Sequence, residues 1–220
     1  MHFYNIHTHS SNASEPDVRE IVNCIIEKQK DFSLDTHLLY SVGIHPWYIF
    51  DNVKEQLSAL KSLATQSNVL AIGETGLDKL SEVPFDIQQF VFTESAIISE
   101  ELRKPLIIHC VKAWAEIIGE KKRLKPNCPW IIHGFRGNGE LAKQLLDQGL
   151  YLSFGKQFQT ESLQKAEKDF RLFAETDDKE TEISTVYQHI ATTLAISLED
   201  LTTQIEKNIK EIFPSLIQKY

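Results

Sequence analysis

The chain has 220 residues, the length of one domain. Its 42% hydrophobic and 25% charged composition is that of a globular protein with a full core. A formal net charge of −8, with no lysine- or arginine-rich block, argues against a broad duplex-binding surface. It argues less against a nucleic-acid end held in a metal cleft, where bound cations reverse the local sign. Cys24, Cys110 and Cys128 form no CxxC pair, so neither a disulfide framework nor a zinc finger is indicated. Each lies in or beside an apolar run, as buried inert thiols do. No signal-peptide pattern and no membrane-length apolar stretch occur, which makes the cytoplasm the expected location.

Eight β-branched or aromatic runs follow in order, at 3–6, 21–26, 38–44, 69–73, 105–108, 130–132, 151–154 and 171–174. Most are continuously apolar, as strands buried on both faces of a parallel sheet are. Helical periodicity falls between the later runs. Asp51 is positioned to cap a helix over 51–65, with Val53, Leu57, Leu60 and Leu63 on one side. Segments 86–103, 113–123, 139–148 and 161–169 read the same way. Residues 180–212 read as two helices, the second opened by a capping box of Ser197 and Asp200. Strand–helix alternation predicts an α/β fold with right-handed crossovers. Between 6 and 21, and between 26 and 38, there is little room for a crossover helix, and 10–17 reads as loop. The expectation is a distorted TIM (β/α)8 barrel with the early crossover helices missing, a single domain over 1–220.

The chemistry sits at the ends of these runs. His7 and His9 follow the first, Glu74 the fourth, His109 the fifth, His133 the sixth, and Glu175-Thr176-Asp177 the eighth. In a parallel barrel the C-terminal strand ends converge on one face, where active sites are built. Four histidines with two or three carboxylates there would make a metal site, and a dinuclear one is expected. His7 and His9, two apart, project to one face of a strand; taken alone they are equally consistent with two partly buried structural histidines. Glu74 has two oxygens that can bridge two ions, or it is a solvated loop glutamate. Asp78 reads as structural in its loop. His109 and His133 are ligands, or histidines satisfied by hydrogen bonds. Imidazole suits zinc, and the carboxylates widen the choice to manganese or magnesium. Asp177 and Asp178 compete for the role of ligand or general base, and Glu175 can orient a histidine. His45 reads as a substrate-side histidine or a structural one. Lys112, Arg136 and Lys156 are candidate anion contacts.

The motifs His7-Thr8-His9, Gly43-Ile44-His45-Pro46, 71–78, 104–110, His133-Gly134-Phe135, 151–155 and Glu175-Thr176-Asp177 resemble, in order, those of the TatD family of metal-dependent hydrolases. The helix holding Asn208 and Phe213 is similar to that family's C-terminal end. The resemblance implies a distorted (β/α)8 barrel, two divalent ions and phosphodiester hydrolysis. It implies Glu74 as the bridging ligand, His7, His9 and Asp177 completing one metal, and His109 and His133 the other. It selects Asp177 over Asp178, as the group that helps deprotonate the attacking water.

Three departures from the family pattern stand out. Val111-Lys112 replaces an Arg-Asp pair after His109. Gly134 and Arg136 replace Cys and Ser around Phe135, and Lys179 replaces a proline after Asp177. They leave the ligands intact and alter the shell that would touch phosphate. The expected activity is a deoxyribonuclease acting on DNA ends, 3′–5′ exonuclease-like, in a monomer with no membrane association. A hydrolase of a small phosphoester, lactone or amide on the same site is the alternative. A catalytically silent barrel would predict a lost ligand, and all six positions are filled.

Overall fold

Each of the eight apolar runs forms a strand in the computed structural model, which describes residues 1–11, 17–27, 33–178 and 180–218. The strands are β1 (Phe3–Thr8), β2 (Val18–Ile25), β3 (Tyr40–Gly43), β4 (Val69–Asp78), β5 (Leu106–Val111), β6 (Trp130–Ile132), β7 (Tyr151–Phe154) and β8 (Leu172–Ala174). They lie in one sheet in chain order, and the pairs β1–β2, β3–β4, β4–β5 and β7–β8 are parallel. A bridge between Thr8 and Asp177 returns the chain beyond β8 to β1, the contact that separates a barrel from an open sheet. The helices are α1 (Val53–Ala64), α2 (Phe85–Leu102), α3 (Trp114–Leu124), α4 (Gly139–Asp147), α5 (Thr160–Lys168), α6 (Ile183–Leu194), α7 (Leu198–Ile212) and α8 (Pro214–Gln218). Among the described residues no helix precedes α1, in line with the short early spacings. Of the 10–17 loop, residues 12–16 fall outside the described residues.

The chain divides into two compact units, Met1–Val22 with Ile132–Tyr220, and Asn23–Ile131. In the first, Ile6, Leu152, Phe154 and Phe173 are buried, as are Leu163, Val186, Ile205 and Phe213, and the rings of Phe173 and Phe213 meet at 6.0 Å. The Tyr187 hydroxyl donates to Tyr4 O and accepts from Tyr4 N, each at 3.1 Å, and so pins α6 to β1. In the second, Val42, Ile72 and Ile107 are buried, as are Leu60, Val91, Phe92 and Ile117, and Phe92 meets Trp130 edge-on at 5.4 Å.

Two helix starts show how local chemistry sets boundaries. Ser197 Oγ accepts from Asp200 N at 3.0 Å and donates to Asp200 Oδ2 at 2.6 Å, so the expected cap holds. The cap expected at Asp51 does not form. The N-cap of α1 is Asn52, and its amide donates to Glu55 Oε2 at 2.9 Å instead of capping the backbone. Asn52 offers the same acceptor one residue later, so composition could not separate the two.

Candidate metal centre

In the first unit the site grows from the end of β1. The β1–β2 register steps three residues on β1, Asn5 to Thr8, for two on β2, Glu20 to Val22. Such a bulge re-aims side chains, and it falls beside His7. The backbone then locks β1 to the carboxylate that follows β8: Asp177 N donates to His7 O at 3.0 Å, and His9 N donates to Asp177 O at 3.1 Å. His7 and His9 are thereby carried onto one atom, since each Nε2 lies 3.6 Å from Asp177 Oδ1. His7 is buried and packs on His133 with ring centroids 4.3 Å apart, whereas His9 is exposed. His133 Nδ1 lies 3.5 Å from Glu175 Oε1, which also accepts from Gly134 N at 2.6 Å. Asn5 holds the segment after β8, donating from Nδ2 to Thr176 Oγ1 at 2.9 Å and accepting from Thr176 N at 3.1 Å.

In the second unit the centre is Glu74. The sequence places it after a strand; the structure places it inside β4, which runs on to Asp78. The reason is again a bulge: β4 steps three residues from Ile72 to Thr75 while β5 steps two, from Leu106 to Ile108. Tight approach to the neighbouring strand requires Gly76, where an added Cβ would lie 1.9 Å from His109 O. Glu74 Oε1 lies 2.9 Å from His109 Nδ1 and 3.2 Å from His45 Nε2. Asn23 clamps the residue from the other side, donating from Nδ2 to Glu74 Oε2 at 3.1 Å and accepting from Glu74 N at 2.9 Å. His109 Nε2 lies 3.3 Å from Asp78 Oδ2, an arrangement in which a carboxylate sets the ring so that Nδ1 faces Glu74. Asp78 also accepts from Trp47 Nε1 at 2.7 Å and from Leu80 N at 2.7 Å. Burial pushes its carboxyl up, but these hydrogen bonds and the charge of His109 outweigh that and hold it below the ordinary carboxylate range. Cys110, next in chain, has a thiol pushed up to about 12 by burial, which keeps it protonated.

The donor spacing tests whether a cation fits. Bonds of about 2.0–2.1 Å to nitrogen and oxygen at tetrahedral angles put ligand atoms roughly 3.3–3.5 Å apart. The two 3.6 Å distances onto Asp177 Oδ1 are close to that and too long for hydrogen bonds. His7, His9 and Asp177 offer donor atoms all within 4.8 Å of one another, and so do His133, Glu175 and Asp177, and likewise His45, Glu74 and His109. Glu175 is fully buried, yet its Oε2 has no hydrogen-bond partner among the described residues, a state that costs free energy unless a cation or water meets it. The residues fit divalent ions.

The candidate anion contacts fall in different places. Arg136 and Lys156 line one cleft of about 220 Å³ with Glu175, Thr176 and Asp177. Lys112 is an exposed residue in left-handed backbone (φ 56°) just after β5. Asn23 and Trp47 are the contacts that sequence reasoning missed. Asn23 lies within a strand and 51 residues from Glu74, so no local pattern marks it.

The family model for TatD-related DNases matches residues 7–214. Among curated proteins, the metal-dependent hydrolase YabD of Bacillus subtilis, itself uncharacterized, is 27% identical over 194 residues, covering 79% of this chain and 76% of that one. The uncharacterized hydrolase YcfH of Escherichia coli K12 is 34% identical over 120 residues, 54% of this chain and 44% of YcfH. A protein of Cronobacter sakazakii named 3′-5′ ssDNA/RNA exonuclease TatD is 31% identical over 115 residues, 51% of this chain and 43% of that protein. The matches to YcfH and to the Cronobacter protein thus span under half of the relative's length. Among solved structures, the TatD homologue YJJV from E. coli K12 superposes with a TM-score of 0.78 at 18% identity, covering 96% of this chain and 98% of that one. A TatD family hydrolase from Entamoeba histolytica gives 0.74 at 17%, covering 97% and 99%. These likenesses bear out the trimmed (β/α)8 barrel, and with the family model matched along nearly the whole chain, the protein belongs to the TatD-related DNase family of metal-dependent hydrolases.

Proposed function

We propose that the chain is a divalent-metal-dependent phosphodiesterase acting on DNA ends, with 3′–5′ exonuclease-like polarity. The observation that carries this reading is the convergence of two histidines on one carboxylate oxygen of Asp177, at ligand–ligand spacing. In this reading His7, His9 and Asp177 would hold one ion, His109 and His133 the other, and Glu74 would serve both. The joining of the two sets rests on family membership, as does the number of ions; zinc, manganese or magnesium suits the donors. Bound divalent ions supply a water of lowered pKa and neutralise charge on the attacking and leaving oxygens.

The chain's own residues do the rest. The Asp177 carboxylate, positioned by its backbone bonds to His7 and His9, would take the proton of the attacking water through the oxygen that the two histidines do not face. Asn23 holds Glu74 and Asp78 holds His109, so that both present fixed atoms. Arg136 and Lys156 bind phosphate oxygens in the cleft they share with Asp177, taking over from the pair replaced by Val111 and Lys112. The name of the Cronobacter relative supports a single-stranded end as substrate.

The test is release of nucleotides from 3′-labelled and 5′-labelled single-stranded DNA with chelator, Mg²⁺, Mn²⁺ or Zn²⁺, and with Glu74→Ala as control. The expected outcome is metal-dependent loss of the 3′ label, absent in the variant. No cleavage by protein shown to carry metal would remove the nuclease reading and leave small phosphoesters on the same residues.

A further inference from the structure

Trp47 is 56% exposed and Leu80 is 65% exposed, and the two line one open cleft of about 410 Å³ with Ser81, Glu82 and Val83. Scattered exposed apolar side chains need no explanation, but this pair is tied to the Glu74–His109 set. The indole N–H of Trp47 donates to Asp78 Oδ2, the oxygen that also faces His109. Its ring stands edge-on to His45 at 5.1 Å and to His109 at 6.1 Å. The backbone around it is fixed as well. Trp47 N donates to His45 Nδ1 at 3.1 Å, Leu80 N to Asp78 Oδ1 at 2.7 Å, and Ser81 Oγ to Pro46 O at 3.2 Å. Gln88 then secures Asp78, accepting from its N–H at 2.8 Å and donating to its C=O at 3.1 Å. A large ring is thus held with one edge bonded and much of its surface in solvent, so it has little freedom left to lose on binding.

The cleft's charge narrows the occupant. Its charged lining residue is Glu82, and Asp78 lies beneath Trp47, so a phosphate is disfavoured there. A neutral flat ring, with N–H groups free to face the carboxylates, is favoured. We infer that Trp47, backed by Leu80, is a stacking platform for the nucleobase at a single-stranded DNA end, and so a specificity-determining residue. The inference rests on the phosphodiesterase reading for the role of the platform in turnover. It adds that the substrate must carry an unstacked terminal base, which separates DNA ends from small phosphoesters. Stacking of one base on an aromatic ring is sequence-tolerant, because every base has a π-face.

Two measurements test it. First, kcat/KM is compared for single strands ending in thymidine and for the same strands ending in an abasic tetrahydrofuran residue, in wild type, Trp47→Ala and Trp47→Phe. The wild type should prefer the thymidine end by about tenfold or more. That ratio should fall towards one in Trp47→Ala and largely return in Trp47→Phe, whose ring stacks but cannot donate to Asp78. A wild-type ratio near one, or a ratio unchanged in Trp47→Ala, overturns the platform. Recovery of neither ratio nor rate in Trp47→Phe would assign the indole to holding Asp78 alone and overturn it too. Second, a phosphorothioate oligothymidylate is titrated against the protein in chelator while tryptophan fluorescence is followed. Saturable quenching, lost in Trp47→Ala, is expected; quenching that persists in Trp47→Ala, or none in wild type, counts against the inference. Absence of hydrolysis on every phosphodiester would sink the phosphodiesterase reading alone, and the fluorescence titration would still decide the platform.

Discussion

Asn23 shows how much of a site can rest on one uncharged side chain. Its amide N–H donates a hydrogen bond to Glu74 Oε2 and its carbonyl accepts one from Glu74 N, so both donor and acceptor face one residue. Asn23→Asp keeps the size and removes the donor, placing a second carboxylate against Glu74. Lost outer-shell partners cost about 10–100-fold in metal affinity or activity, and the added like charge pushes towards the upper end. Titration with Mn²⁺ or Zn²⁺ against a competing chelator should show that weakening with the fold intact by circular dichroism; unchanged affinity would remove Asn23 from the site. The candidate ligands themselves were legible, because histidines and carboxylates after apolar runs are unusual and few. Asn23 was not, because its meaning depends on β2 lying across β3 from β4 in the sheet. The end of β4 lies five residues beyond Gly73, at Asp78, for a related reason: a bulge leaves no mark in composition, and β4 reads as ending where its apolar run stops at Gly73.

At the scale of elements, periodicity specified the strands and most helix bodies, while side-chain ties between elements stayed hidden. The Tyr187 hydroxyl satisfies both backbone groups of Tyr4 on β1, the strand that carries His7 and His9. Burial pushes that phenol well above its ordinary range, which favours the neutral donor. Tyr187→Phe would leave a buried N–H and C=O unpaired, at about 1–3 kcal/mol. Urea denaturation should report that loss, and metal affinity should fall with it if β1 is loosened. A second tie is Lys104, whose ammonium donates to the carbonyls of Ala64, Gln66 and Val69 at the end of α1 and the start of β4. Burial lowers its pKa, yet three carbonyls favour the charged form. Lys104→Met keeps the stem and strands those carbonyls, and a loss of about 2 kcal/mol is expected in the same assay. A change below about 0.5 kcal/mol would show that water replaces the ammonium. Neither tie could be read from the sequence, where Lys104 is one of 23 basic residues and Tyr187 one of six tyrosines.

For the whole molecule, a formal charge of −8 and a gathering of ionisable side chains set up a linkage between metal and stability. The donor atoms come from runs far apart in the chain, so only the folded form can bring them to one ion. Binding to the folded form alone stabilises it by RT ln(1 + [M]/Kd), about 2.7 kcal/mol at 100 Kd and about 4 kcal/mol at 1,000 Kd. For a chain of this length each kcal/mol moves Tm by roughly 2–4 °C, so saturating Mn²⁺ or Zn²⁺ should raise Tm by roughly 5–15 °C over chelator. An acidic protein can also gain from any cation that screens its self-repulsion, and that gain must be separated from ligation. Screening depends on ionic strength and not on which carboxylate is present. Scans at matched ionic strength therefore discriminate: a rise with Mn²⁺ that NaCl does not reproduce, and that largely vanishes in His7→Ala and in Glu74→Ala, assigns the stabilisation to these residues. A rise that NaCl reproduces, or that survives in both variants, would reduce it to screening and count against the proposed ligand set, whatever the nuclease assay gave.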